Sequence, residues 1–202
     1  MFNSLLAIKV GAIIGIVVAV VVVILIISII SWYIKTYNAF VRLKNKVEEA
    51  WKNIDVFLKK RFDLIPNLVE TVKGFAKHES ETLRSVIEAR NIGMAANNPQ
   101  AVMEADRAMT SSLHTFFQAV SESYPQLQAN ANFLDLQNQL KSIEAELESA
   151  RRYYNGVVKQ FNTKLELFPD RIVAKRMGED YTKKDYFEIT DPVERQNVRV
   201  SF

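Results

Sequence analysis

No cysteine occurs among the 202 residues, so disulfide staples and thiol chemistry are excluded while the redox compartment stays open. Histidine is almost as scarce. Only His78 and His114 are present, and neither has a second ligand at the spacing of a metal motif. The six glycines build no G-x-G-x-x-G or G-x-x-x-x-G-K-[ST] cradle for a phosphate, and Ser111 and Ser112 lack the setting of a nucleophile elbow. Glu144, Glu146 and Glu148 stand without the paired Glu-x-x-His set of a di-iron bundle. A net charge of +3 is too small to point to nucleic acid. No catalytic residue, cofactor or metal is expected, and an enzyme is the least supported class.

What the chain does have is a long run without charge. The 25 positions from Val10 to Ile34, between Lys9 and Lys35, are mostly Val and Ile. About 20 apolar residues suffice to span a hydrocarbon core, so 10–34 is expected to be a transmembrane helix behind a short tail, 1–9. Trp32 and Tyr33 stand where an interfacial aromatic belt belongs. A cleaved signal peptide would carry an apolar stretch of about 7–15 residues ending in small side chains. This run is longer, and IISIISWYIK contains no such site. Only Lys9 precedes the span, whereas Lys35, Arg42, Lys44, Lys46 and Lys52 follow it. The balance predicts an outside N-terminus and a cytoplasmic C-terminal part. From Lys35 to Arg61 eight basic residues face three acids, a patch suited to an anionic leaflet or simply a solvated helix face.

From Phe40 the apolar positions follow a 4-3 rhythm: Val47, Trp51, Ile54, Leu58, Ile65, Leu68, Val72 and Phe75, interrupted by Lys44 and Arg61. The rhythm fails at KHESE, which predicts a joint near 76–80. A shorter helix with Leu83, Val86 and Ile87 follows, then a loop at NIGMAANNPQ (91–100). A third helix over about 100–121 turns Val102, Met109, Leu113, Phe116 and Val120 inward. After SYPQLQAN comes a regular last helix carrying Phe133, Leu136, Leu140, Ile143, Leu147, Ala150, Tyr154, Val157 and Phe161. At 1.5 Å per residue the first soluble helix spans about 63 Å and the last about 54 Å. Two shorter helices set end to end would match them, so a four-helix arrangement over 35–168 is expected. The tail, 169–202, offers one short helix after Pro169. Its closing alternation of Val198, Val200 and Phe202 fits either a disordered tail or an extended arm.

Two features interrupt the first soluble helix. Pro66 removes the bond from residue 66 to the carbonyl of Phe62, a penalty of about 3 kcal/mol unless compensated. The flanking seam predicts a kinked but continuous helix, with Asn67 or an arginine from a neighbouring helix as donor to the freed carbonyl. Arg61 sits in the apolar seam. Together with Asp55, Glu144 and Arg151, all beside the stripes of the two longest helices, it forms a candidate structural polar network. Its expected role is to lock the register between helices rather than to add net stability. A ligand or partner contact is the alternative. The Asn residues of YN (37–38) and YYN (153–155) are either hydrogen-bonding groups or the polar flanks of aromatic core positions.

These residues together resemble the LemA family of bacterial membrane-anchored helical proteins. The likeness runs through YNAFV (37–41), Trp51, IDVFLKKRFDLIPNLVETVKGFAKHE (54–79) and Arg90. It continues through YPQLQAN (124–130), LQNQL (136–140), Glu144, AR (150–151), FN (161–162), FP (168–169) and YFE (186–188). The resemblance implies an all-α protein, an antiparallel four-helix bundle on a single N-terminal membrane anchor. It implies no reaction. One branch of the family takes part in building the magnetosome membrane compartment, which by analogy suggests membrane organisation. The expected function is therefore a non-catalytic scaffold at the bacterial inner membrane, with the lipid bilayer and further copies of itself as partners. The alternative is an adaptor that recruits a membrane protease, transporter or signalling protein.

Overall fold

The computed structural model describes residues 2–73 and 80–187, the side chains of residues 2–12 and of Ser80 excepted. The expected joint around 76–80 with His78, and the alternation at Val198, Val200 and Phe202, fall outside them, apart from Ser80. Every regular element among the described residues is helical: α1 (Phe2–Lys73), α2 (Ser80–Ala95), α3 (Pro99–Ser123), α4 (Pro125–Gln128), α5 (Ala131–Glu166) and α6 (Asp170–Ala174), with a 3-10 turn at Glu179–Tyr181. The protein is all-α.

The apolar run and the first amphipathic stretch are one helix, α1, which also passes through Pro66 unbroken. Residues 13 to 31 are exposed all round α1, a stretch long and apolar enough to cross a membrane. At the other end of the 91–100 segment the expected loop shrinks to three residues, because α2 continues to Ala95. Gly93 is not a breaker here. A Cβ at that position would come within 2.3 Å of the Phe62 ring, so the missing side chain makes room for a core aromatic. Asn98 caps α3, accepting from the Ala101 N–H at 2.9 Å, and Pro99 takes the first helical position, where no N–H is needed. Asn130 does the same for α5 through the Phe133 N–H at 3.1 Å.

The chain forms two compact units. In the first, made of α1 up to Lys46 and of Lys159–Lys184, Phe40 meets Phe161 and Tyr181 edge-on, each with centroids 6.4 Å apart. The Asn162 side chain grips the backbone of Lys184, donating to its carbonyl and accepting from its N–H, both at 2.9 Å. Gly178 turns the chain at a left-handed φ of 94°, a conformation that favours glycine.

The second unit holds Val47–Val158 and the described residues from Asp185 on. Within it α2 and α3 pack side by side as a hairpin, not end to end as their lengths suggested. The three-residue loop forces this reversal. Ile54, Leu58, Ile65 and Leu68 of α1, Val86 of α2, Met109, Leu113 and Phe116 of α3, and Phe133 and Leu147 of α5 make the core. The Asn155 side chain holds the Phe187 backbone by the same paired geometry as Asn162 uses, at 2.7 and 2.9 Å, and Phe187 is buried beside Trp51.

Candidate functional site

Four charged side chains close a ring inside the second unit. Arg61 comes from α1, Asp106 from α3, and Glu144 and Arg151 from α5. Asp106 bridges the two arginines, its Oδ1 at 3.2 Å from Arg61 Nη1 and its Oδ2 at 2.5 Å from Arg151 Nη2. Glu144 bridges them again, Oε2 at 2.9 Å from Arg61 Nη1 and Oε1 at 3.2 Å from Arg151 Nη1. The Oε2 contact is an ion pair whose angles do not make a hydrogen bond. Arg61 Nη1 also donates to the Thr110 hydroxyl at 3.0 Å, and the Arg151 guanidinium lies 5.2 Å from the Phe187 ring. Two positive and two negative groups alternate, so the ring is neutral.

Its members are deeply buried. Arg61, Asp106 and Arg151 are 3%, 2% and 6% exposed. Glu144 alone is partly open, its side chain 36% exposed. Burial pushes the Asp106 carboxyl up, while Arg151 and Arg61 pull it back down. Burial also lowers Arg61, against the raising effect of Glu144 and Asp106. The Nε atoms of both arginines have no acceptor. The ring is neutral, and its ion pairs link α1, α3 and α5.

The second helix joins the same layer through the backbone. Pro66 leaves the Phe62 carbonyl without its helical donor, and Arg90 of α2 fills the place, its Nε donating at 3.0 Å. Pro66 and Asn67 themselves are exposed, and the Asn67 carbonyl accepts from Thr71 Oγ1 at 2.9 Å.

Arg61, Glu144 and Arg151 therefore come together, whereas Asp55 does not. Asp55 is exposed, and Asp106 takes the place given to it. The physical reason is cover. Phe62 and Val69, one and two heptads after Asp55, are buried, and α2 lies over Phe62. Only two residues of α2 follow Gly93, so at 1.5 Å per residue the helix ends about 3 Å past Phe62, while Asp55 lies about 10 Å past it. Asp106 carried a signal of its own, a seven-residue gap between Val102 and Met109 with an acid in the seam at its middle.

Of the membrane-proximal basic residues, Lys35, Arg42, Lys46 and Lys52 are exposed. Lys44 instead turns into the first unit, 2.9 Å from Asp180 and over the Tyr181 ring, and its hydrogen bond holds the Asp180 carboxyl below the usual range. Trp32 and Tyr33 are half-buried, and His114 is exposed. A cavity of about 520 Å³ opens where α2 meets α3, and Ile92, Ala95, Ala101, Glu104 and Ala105 are among its lining residues.

The model of the LemA family matches residues 50–202, which include all four members of the charge ring. The chain belongs to the LemA family. Protein LemA of Metamycoplasma hominis is a relative, 25% identical over 149 residues. The match takes in 72% of this chain and 66% of that protein, so the chain spans just under two thirds of that relative's length.

Proposed function

We propose that this LemA-family protein is a non-catalytic scaffold held in the bacterial inner membrane by the first part of α1, with the N-terminus outside and residues 35–168, the rest of α1 included, forming an antiparallel four-helix bundle in the cytoplasm. The observation that carries the reading is the stretch 13–31, apolar on every face and exposed on every face within an otherwise amphipathic helix. Such a surface has no place in water. The internally paired ring suits a rigid body better than a reaction centre. Self-association is the scaffold's expected working state, and the hairpin of α2 and α3 offers a face for it. There Ile87 and Met94, one heptad apart and so on one side of α2, are exposed.

Two measurements test this. A reporter fused to the C-terminus reads the side of the membrane, and a reporter active only outside the cytoplasm would overturn the orientation. Crosslinking in cells through a cysteine placed at Met94 should give dimers and higher species; a strictly monomeric protein at native abundance would sink the scaffold. A second reading has the same exposed face take a different membrane protein, making the chain an adaptor. Crosslinks from Met94 to another protein, with none to a second copy, would favour it.

A further inference from the structure

The first unit leaves an unusual corner open between α5 and α6. Phe168 is 79% exposed, Leu167 53% and Ile172 45%, although Phe161 and Val173 close by are fully buried. Arg171, Lys175 and Arg176 are exposed among them. Large apolar side chains interleaved with arginine and lysine are the composition of a segment that lies in a lipid interface.

The height of the corner is fixed from within the unit. Phe161 sits beside Phe40, and α5 runs on from it against the direction of α1. Five further residues carry α5 about 8 Å to its end at Glu166, next to Leu167, and the same distance back along α1 from Phe40 reaches Lys35. A direct contact agrees. Thr36 Oγ1 donates to Asp170 Oδ1 at 3.4 Å, and Lys164 pairs with the other oxygen of Asp170 at 2.5 Å. Thr36 is two residues, about 3 Å of helix, past the last residue of the charge-free run. The exposed apolar corner thus stands level with the end of the apolar run of α1, beside Trp32 and Tyr33.

We infer that the corner at Leu167, Phe168 and Ile172 inserts into the membrane interface as a second, peripheral contact with the bilayer, while Arg171, Lys175 and Arg176 meet anionic headgroups. The inference rests on the reading of α1 as a membrane span. It gives the apolar corner a solvent in which its exposure carries no penalty, and it ties the end of α5 as well as α1 to the lipid surface. Each basic residue near an anionic surface is expected to strengthen the contact about fivefold.

The absence of native cysteine makes the test direct, because a single introduced cysteine is the only labelling site. Full-length chains carrying Phe168→Cys, Val21→Cys or Lys52→Cys would be spin-labelled in vesicles of phosphatidylcholine with phosphatidylglycerol. Collision with oxygen, which concentrates in lipid, is compared with collision with a water-soluble nickel chelate. The label at 21 should report lipid and the label at 52 water. The label at 168 should favour oxygen over nickel, between those two. A label at 21 in water overturns the membrane span itself. If the label at 21 reports lipid while 168 reports water, the span stands and the corner contact is overturned. Shielding of 168 from both reagents would mean a protein contact and overturns it equally. Omitting phosphatidylglycerol, or combining Arg171→Gln, Lys175→Gln and Arg176→Gln, should move the label at 168 toward water. An unchanged ratio in both cases overturns the headgroup contact.

Discussion

Replacing Asp106 with Asn keeps the shape of the side chain and removes one charge from the ring. Arg61 and Arg151 then share Glu144 alone, and the neutral ring becomes +1 at a place where both arginines are at most 6% exposed. Breaking a buried pair on one side costs about 3–5 kcal/mol, because one positive charge is left in excess away from water. At about 2–4 °C per kcal/mol for a protein of this size, the melting temperature of Asp106→Asn should fall by about 6–20 °C. Near-ultraviolet circular dichroism of the full chain in detergent can follow the loss, since Trp51 packs against Tyr154 and Phe187 in the same unit. Two companions make the reading specific. Asp55→Asn, at an exposed position, should stay within about 0.5 kcal/mol of the parent. A fourfold change of Arg61, Asp106, Glu144 and Arg151 to methionine or leucine should be close to neutral, or stabilising by about 1–4 kcal/mol. An Asp106→Asn melt within about 1 kcal/mol of the parent would refute the closed ring.

Three further outcomes follow from single contacts. Arg90→Met removes the donor to the Phe62 carbonyl and should cost about 0.5–1.5 kcal/mol in the parent, but much less beside Pro66→Ala, whose restored N–H bonds that carbonyl; a double-mutant cycle with no coupling would sink the pairing. Gly93→Ala gains about 1 kcal/mol of helix propensity yet drives a Cβ into buried Phe62, an overpacking cost of about 1–3 kcal/mol, so net destabilisation is expected in urea melts, and adding Phe62→Leu should reverse it. Burial, reinforced by the negative charge of Asp185, raises the Tyr154 hydroxyl above its usual value near 10. Because the folded value lies above the unfolded one, this contribution is complete below about pH 10 and fades as pH rises through the folded value. Alkaline unfolding should therefore track a late tyrosinate absorbance, and Tyr154→Phe should blunt it.

Much of this architecture was legible because it rests on periodicity. The 4-3 stripes of α1 and α5 located Arg61, Glu144 and Arg151 beside the core, and the arithmetic of Pro66 identified the orphan carbonyl and left Asn67 or a neighbouring arginine as its donor, of which the structure has the arginine. What periodicity does not carry is which helix covers which side of a stripe. Asp55 and Phe62 occupy the same heptad position, yet only Phe62 lies under α2. Gly93 read as a breaker because its use is a contact with a residue 31 positions earlier, invisible locally. Asp106 was hidden by an expectation that seams are apolar. The exposed corner at Phe168 went unread for a related reason. An apolar pair before a proline looks like an ordinary helix end until its height along α1 is known.

A buried ring of charges is a poor way to gain stability, so its presence asks for another explanation. Apolar stripes alone specify register weakly: Ile54 and Leu68 lie a heptad to either side of Arg61, so sliding α1 by seven residues, about 10 Å, would still set aliphatic groups against aliphatic groups. The same holds for α5, where Leu140 and Leu147 repeat at that interval. With the ring in place, a slip of one heptad separates Arg61 from both acids and leaves charge buried without a partner, a penalty of several kcal/mol that the apolar match does not offset. The donation from Arg90 to the Phe62 carbonyl binds α2 to the same register, because Pro66 deprives the carbonyl four residues before it of its helical donor. Pro66 thus acts as an address on an otherwise repetitive helix. Its removal alone should leave the fold and the register standing, because the ring still opposes a slip; combined with the fourfold apolar replacement of the ring it should broaden the melt and populate alternative helix registers, which pulsed electron–electron distances between labels on α1 and α2 would detect.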